Sequence, residues 1–345
     1  MKCILAVMAG LALAGGGSAQ DEKPINVVAT LTDLGRIAEA VGGNKVSVTT
    51  IASGVQDPHF VDPKPSYVVK LRDADLFLNN GLELEIGWVP PLLDGARNGR
   101  IKPGSAGYVD CSKNIPVLEL PTGEVTRAQG DVHPLGNPHY LTDPLNGKIV
   151  AQTVAEALKQ ASPAHADYFE ERKKAFQQAI DEAVFGRELV DLVGGKKLDR
   201  LCRSGEFDAF LESQVEGGAK LSAKLGGWIG KMRPVKGRKI VFYHKSYSYF
   251  NARFGLDVVN FVELKAGIQP GPSHLADLVA QIQRDKIQII ASHPFYDEKV
   301  PRLVAEKGGA KVVVLPLSVG GVKGADDYLK FFEVSTDLLI QAMGK

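Results

Sequence analysis

Long apolar runs, net charge and cysteine are all scarce in this chain of 345 residues. The apolar run at the amino terminus extends only from Cys3 to Ala14, which is shorter than the roughly 20 residues that a membrane-spanning helix needs. The formal net charge is +1, with acidic and basic residues interspersed. This balance argues against a nucleic-acid partner and against a role at a membrane surface.

The amino terminus has the organisation of a secretory signal. Lys2 precedes the apolar run, and the small residues Gly15–Ala19 follow it, so we expect cleavage near Ala19. Removal of residues 1–19 takes away Lys2 and no acid, which brings the formal charge from +1 to zero. No cysteine follows the apolar run, so a lipid-anchored mature end is not expected. The mature chain is predicted to lie in the periplasm or outside the cell.

Several common site signatures are absent as well. The sequence has no His-Glu-x-x-His, Cys-x-x-Cys, Gly-x-Ser-x-Gly or Gly-x-x-x-x-Gly-Lys motif, so it lacks the usual marks of zincins, thiol redox proteins, serine hydrolases and phosphate-binding loops. Two cysteines remain after cleavage, Cys111 and Cys202. An oxidising compartment permits a disulfide between them, but their spacing does not predict one.

Apolar, β-branched segments alternate with amphipathic segments along most of the chain. Ile25–Thr30 is predicted as a strand, followed by a helix with Thr32 and Asp33 at its N-cap. Such alternation predicts parallel sheets with helical crossovers. Strongly helical sequence from 144 to 184 interrupts the pattern, which resumes at Arg238. We therefore expect an α/β protein with two lobes, each a parallel sheet flanked by helices, joined by a long rigid helix.

These patterns also predict the divisions of the chain. They are a signal peptide at 1–19, an amino-terminal α/β lobe at 20–143, a helical connector at 144–190, an extra helical segment at 191–237 and a carboxy-terminal α/β lobe at 238–345. Glycine pairs at 194–195, 217–218 and 226–227 are interpreted as flexible joints between helices.

Histidines at the ends of predicted strands and the starts of helices are the candidate functional residues. His59, His139 and His244 each stand in a distinctive phrase, and neutral imidazole is the commonest side-chain ligand for transition metals. Ligands of open parallel sheets bind outside the carboxyl ends of the strands. That rule places His59 on one lobe and His244 and His293 on the other, with all of them able to face one cleft. The loop of His139 can point the same way.

The plainer interpretation applies to the other histidines, because a histidine in a loop is usually a solvated or capping residue. It is retained for His165, within a predicted helix, and for His274, just inside a helix start. His133 is intermediate, since it lies on the loop of His139.

The phrases around these histidines resemble a known family, the zinc- and manganese-binding solute-binding proteins of ABC importers. The resemblance rests on Asp57-Pro58-His59 with Pro63-Lys64-Pro65-Ser66, on 79–85 with Trp88, on Gly136-Asn137-Pro138-His139 with Asp143-Pro144, and on Tyr243-His244 with 249–256. These motifs follow one another in order over nearly the whole mature chain.

The resemblance implies a periplasmic binding protein with one metal ion in the cleft between its lobes and His59, His139 and His244 as ligands. Three imidazoles favour Zn²⁺ over Mn²⁺, because manganese prefers carboxylate oxygen. The resemblance also implies that the partner is a cognate ABC permease in the inner membrane and that the protein performs no catalysis. We expect a monomer that does not bind nucleic acid.

The chain departs from the family at the fourth ligand. A carboxylate near the last strand commonly fills this position, but Leu315–Gly321 contains no acid. We therefore predict His293 as the fourth ligand, with water as the alternative. Residues 185–237 are longer than the usual connection, and no role is assigned to them.

Two other functions are compatible with three loop histidines. A secreted zinc hydrolase would need a carboxylate base, for which Glu263 and Asp143 are the candidates. A surface adhesin could use the metal for structure alone.

Overall fold

The amino-terminal lobe is built on four parallel strands in the computed structural model, which describes residues 23–123, 133–264 and 267–344. The strands are β1 (Ile25–Ala29), β2 (Val46–Thr50), β3 (Leu76–Asn79) and β4 (Tyr108–Asp110), in the spatial order β2-β1-β3-β4. The accompanying helices are α1 (Thr32–Gly42), α2 (Pro65–Arg72) and α3 (Val89–Ala96). Val27 on the central strand pairs with Val48 on one side and Leu76 on the other. Because β1 is covered on both faces, its end reads as a continuous apolar run.

The sequence patterns predict neither β4 nor α3. β4 has three residues, which is too short for a period to be recognised. α3 begins Val-Pro-Pro and contains Gly95, residues that usually argue against a helix. Its prolines stand within the first turn, where the amide that proline lacks would have no partner in the helix.

The start of α1 differs from the predicted capping. Leu31 is the N-cap residue, and it makes no side-chain capping hydrogen bond. The Thr32 hydroxyl donates to the Val319 carbonyl over 2.7 Å, and the Val319 amide donates to Asp33 Oδ1 over 3.1 Å. The local rule is wrong here because both side chains are used in a contact with the other lobe.

Two helices form the connector, α4 (Pro144–Ala161) and α5 (Ala166–Phe185). α5 touches the amino-terminal lobe near its start, where Arg172 Nε donates to the Ala40 carbonyl over 3.0 Å. Farther along, Phe176 packs against Tyr328 with ring centroids 6.2 Å apart. α5 therefore runs alongside both lobes.

The segment after the connector is mainly helical, and it also contains a small hairpin. Its elements are α6 (Arg187–Val193), α7 (Gly195–Ser204), α8 (Phe207–Ser213), β5 (Val215–Glu216), β6 (Ala219–Lys220) and α9 (Gly227–Met232). Gly217 and Gly218 both have positive φ, +63° and +80°, as a two-residue type I′ hairpin turn requires. This glycine pair is thus a tight turn between two strands, and its interpretation as a flexible joint between helices is wrong.

The carboxy-terminal lobe repeats the parallel design. Its strands are β7 (Lys239–Phe242), β8 (Asp257–Phe261), β9 (Ile289–Ser292) and β10 (Lys311–Val314), in the spatial order β10-β9-β7-β8. Its helices are α10 (Ser248–Phe254), α11 (Pro272–Asp285), α12 (Lys299–Gly308) and α13 (Tyr328–Met343). The predicted α/β fold with two lobes and parallel sheets is confirmed.

The lobes are held together by apolar packing and by a buried ion pair. One hydrophobic core is continuous through Val27, Phe169 of the connector and Phe332. Arg253 donates to both carboxylate oxygens of Asp143, over 3.0 and 2.7 Å. This two-point contact fixes the geometry between the start of α4 and α10.

The described residues show the state of the two cysteines and the character of the helices. Cys111 and Cys202 are free thiols and do not form a disulfide. In the same part of the chain, no helix combines the length and apolar character needed to cross a bilayer. The predicted signal at 1–19 lies outside the described residues.

Candidate metal centre

His59 lies in the loop between β2 and α2, and its ring is held by a neighbouring carboxylate. Asp57 Oδ1 accepts hydrogen bonds from the His59 amide (3.0 Å) and from Nδ1 (2.7 Å). Burial favours the protonated form of Asp57, but the hydrogen bond and charge of His59 outweigh burial and lower the pKa of this carboxyl. The carboxylate therefore fixes the tautomer that leaves the Nε2 lone pair of His59 for a ligand.

His139 lies just before the 3₁₀ turn Tyr140–Thr142, which leads into α4. Hydrogen bonds from nearby side chains hold this loop. Asn137 Oδ1 accepts from the His139 amide over 2.9 Å, and the Thr142 hydroxyl donates to the His139 carbonyl over 2.8 Å. The side chain is buried, and its Nε2 has no hydrogen-bond partner in the described part of the chain. An orphaned buried nitrogen costs free energy unless something fills its coordination. A bound cation would do so.

His244 lies two residues after the end of β7. Its Nδ1 lies 3.0 Å from Glu263 Oε2, while Glu263 Oε1 accepts from the Gly267 amide over 2.8 Å. In His244, as in His59, a carboxylate contacts Nδ1, and Nε2 lies on the opposite side of the ring from that carboxylate.

The three histidines converge between the lobes. One ring nitrogen from each of His59, His139 and His244 lies within 4.8 Å of the other two, and the residues are only 9 %, 6 % and 8 % exposed. Their rings stand steeply to one another, at 70° to 90°. A tetrahedral zinc site with Zn–N bonds near 2.05 Å has nitrogens about 3.3 Å apart, so a modest inward shift would bring the three nitrogens to the spacing of such a site.

The electrostatics keep this site ready for a cation. Burial, and then the neighbouring imidazoles His59 and His244, hold the pKa of His139 well below its usual range. His139 is therefore neutral at physiological pH, as a metal ligand must be.

The sequence signature at 79–88 acts as a support between the two loops of the amino-terminal lobe. Trp88 Nε1 donates to the Pro58 carbonyl over 2.9 Å, and Asn80 Nδ2 donates to the Pro138 carbonyl over 3.1 Å. Glu85 accepts from the amide of Asn80 over 2.7 Å, and burial raises the pKa of Glu85 to about 7. Residues next to His59 and His139 are in this way tied to one buried turn.

His293 is not brought into the cluster. Its Nδ1 lies 3.0 Å from the Leu315 carbonyl, and its Nε2 lies 2.5 Å from Ser246 Oγ. The carbonyl can only accept, so Nδ1 carries the proton and Nε2 accepts from the serine hydroxyl. Burial lowers the pKa of His293 to about 4. Both nitrogens are thus occupied within the protein, and His293, predicted as the fourth ligand, lies outside the group formed by His59, His139 and His244.

His133 lies beside the cluster instead, with its Nε2 3.2 Å from Nε2 of His59. Sequence reasoning noticed this residue but did not include it among the ligands. Its place on the loop of His139 was the available signal. The remaining histidines are elsewhere: His165 ends a 3₁₀ turn before α5 rather than lying inside a helix, and His274 Nε2 lies 2.9 Å from the Phe261 carbonyl.

The carboxylates considered as hydrolase bases both have other partners. Glu263 orients His244 and accepts from Gly267. Asp143 pairs with Arg253 and caps α4 through the Leu145 amide at 2.9 Å. Both carboxylates are thus engaged in hydrogen bonds within the protein.

The family described as "Zinc-uptake complex component A periplasmic" (ZnuA) matches residues 27–184 and 219–342. The chain belongs to this family. The resemblance read from its motifs is confirmed. The match omits 185–218, a stretch that contains α6, α7, α8 and β5.

Individual relatives have low sequence identity to this chain, and their names refer to different metals. The metal ABC transporter substrate-binding lipoprotein ScbA of Streptococcus cristatus is 29% identical over 223 residues, covering 61% of this chain and 68% of that protein. The manganese ABC transporter substrate-binding lipoprotein PsaA of Streptococcus anginosus is 22% identical and covers 99% of this chain and 96% of its own length. The iron-binding protein YfeA of Yersinia pestis is 22% identical and covers 97% and 91%.

Solved structures share the fold. A zinc-bound deletion mutant of ZnuA superposes with a TM-score of 0.68 at 20% identity, covering 94% of this chain and 99% of that one. A mutant of the laminin-binding adhesin Lmb from Streptococcus agalactiae gives a TM-score of 0.65 at 20% identity, covering 93% and 100%. Family membership makes this chain a substrate-binding protein of a metal ABC importer and not an enzyme.

Proposed function

We propose that this protein captures one Zn²⁺ ion in the cleft between its lobes and delivers it to an ABC permease in the inner membrane. The observation that carries the proposal is the donor set: three buried imidazoles, with a His139 nitrogen that has no hydrogen-bond partner among the residues that the structure describes. Zinc is a borderline-soft cation that accepts imidazole readily, whereas manganese prefers carboxylate and water oxygen. The family description, which names zinc uptake, supports the same choice.

His59, His139 and His244 are the proposed ligands. Two carboxylates beside the cluster, Asp57 and Glu263, orient His59 and His244, which supports an all-nitrogen set. His293, the fourth ligand expected from the sequence, is not part of this proposal, because both of its ring nitrogens are hydrogen-bonded within the protein, and the three-imidazole site does not depend on it.

The protein is proposed to act outside the cytoplasm as a monomer, exported by the signal at residues 1–19. The family description as periplasmic and the relatives named as substrate-binding lipoproteins support an extracytoplasmic place.

Metal titration followed by native mass spectrometry tests the proposal. Metal-free protein should retain one zinc per chain and lose manganese and ferrous iron more readily. His139→Ala and His244→Ala should each weaken zinc retention, whereas His165→Ala, which changes a histidine outside the cluster, should not. Equal or stronger retention of manganese or iron would overturn the assignment to zinc.

A further inference from the structure

The loop histidine at position 133 is placed against the proposed ligand set. Its Nε2 lies 3.2 Å from His59 Nε2, and the two rings stack with centroids 5.2 Å apart at an interplanar angle of 26°. The His133 ring also stands at 90° to the His139 ring, with centroids 6.3 Å apart. His133 therefore meets the cluster at Nε2 of His59, the nitrogen proposed to bind the metal.

The separation of the two nitrogens suits a shared metal ion. Four nitrogens around zinc at about 2.05 Å stand about 3.3 Å from one another, close to the 3.2 Å between His59 and His133. A hydrogen bond between two imidazoles has a similar length. Which of these two contacts forms depends on whether Nε2 of each imidazole carries a proton or a lone pair.

The tautomer of His59 is set by Asp57. Because Asp57 Oδ1 accepts from Nδ1 of His59, His59 Nε2 carries a lone pair, and His133 Nε2–H donates to it when the cleft holds no metal. Zinc takes that lone pair. A shift of the His133 proton from Nε2 to Nδ1 then frees an Nε2 lone pair, with no net gain or loss of a proton. Exchange with solvent can carry the shift, because His133 is only partly buried.

Other candidates for the fourth position are less suitable among the described residues. Both nitrogens of His293 are hydrogen-bonded inside the protein. Glu263 uses one oxygen on His244 and the other on the Gly267 amide. The stretch at 315–321 contains no acid.

We propose that His133 is the fourth zinc ligand, and that it covers the His59 nitrogen by a hydrogen bond until the metal enters. This inference rests on the proposed function. It makes His133 itself a part of the site.

The test compares His133→Ala and His133→Gln with the parent chain, and with His293→Asn and His165→Ala as controls. Zinc affinity is measured by competition with a chelator, and the number of bound imidazoles by zinc K-edge X-ray absorption. Circular dichroism checks that each variant is folded. The alanine and glutamine variants separate loss of the ligand from loss of side-chain volume.

We expect both His133 variants to keep one zinc per chain, with affinity lower by at least about tenfold and the imidazole number reduced from four to three. His293→Asn and His165→Ala should keep four. Three imidazoles in the parent, or an unchanged number in the His133 variants, would overturn this inference while the proposed function stands. A parent chain that fails to bind zinc would overturn both.

Discussion

The carboxylates behind His59 and His244 give a sharp prediction, because they use their oxygens differently. Asp57 accepts the hydrogen bonds from the His59 amide and from His59 Nδ1 on the single atom Oδ1. Glu263 divides its two bonds, with Oε2 on His244 Nδ1 and Oε1 on the Gly267 amide. Replacement of each acid by its amide should therefore have unequal effects on zinc binding.

The expected magnitudes follow from this difference. Asp57→Asn keeps one carbonyl oxygen, which can still accept both bonds, so only the charge is lost. Glu263→Gln also has only one oxygen, and its NH₂ group must then face either His244 Nδ1–H or the Gly267 N–H. Loss of a partner that orients a metal-bound histidine costs about 10- to 100-fold in affinity, equivalent to about 1.4–2.7 kcal/mol. We expect Glu263→Gln to fall in that range and Asp57→Asn to lose less than about tenfold.

The difference in burial between the two carboxylates also predicts a larger effect for Glu263→Gln. The Glu263 side chain is 9% exposed and that of Asp57 is 19% exposed, so solvent can replace a lost interaction more easily at Asp57. Zinc affinity is measured by chelator competition at neutral pH. Glu298→Gln is the matched control, because Glu298 pairs with Arg302 on the surface. If Asp57→Asn weakens zinc binding as much as Glu263→Gln, the oxygen count does not govern the orientation of the ligands.

Two further predictions concern pH. Zinc affinity should fall as pH is lowered from about 6.5 to 5, because protons compete for the ligand imidazoles, and a flat calorimetric profile over this range would argue against histidine ligands. In the metal-free protein, His293 has a folded pKa of about 4 and an unfolded value near 6.5, so its contribution to stability is present above pH 6.5 and is lost toward pH 4. Denaturant unfolding should show that His293→Asn removes up to about 3 kcal/mol of this pH-dependent part. Asp33 and Glu85, with pKa values raised by burial to about 6 and 7, change stability in the opposite sense, so the parent and variant slopes must be compared directly.

The alternation of strands and helices could be predicted from the sequence because parallel strands buried on both faces are written as continuous apolar runs. The strand predicted at Ile25–Thr30 is observed at Ile25–Ala29, and the helix predicted from Pro144 to Gln160 is observed at Pro144–Ala161. β4 could not be predicted in this way, because a strand of three residues is too short to show a recognisable hydrophobic pattern.

Local rules failed where a distant partner supplied the decisive contact. Thr32 and Asp33 have the side chains of N-cap residues, but they bind the backbone of Val319 in the other lobe. Nothing near them in the sequence marks Val319 as their partner. The same limit applies to Asp143, which does cap its helix and also pairs with Arg253.

The metal centre shows why histidines in similar sequence settings have different roles. His139 and His293 are both buried, both stand beside a proline and both lie near the cleft. Among the described residues, one ring nitrogen of His139 has no hydrogen-bond partner, whereas both ring nitrogens of His293 are hydrogen-bonded. A buried polar atom without a partner is costly unless a ligand supplies one. For these two residues, the unfilled nitrogen separates the candidate metal ligand from the structural histidine, and the difference depends on contacts between residues far apart in the sequence.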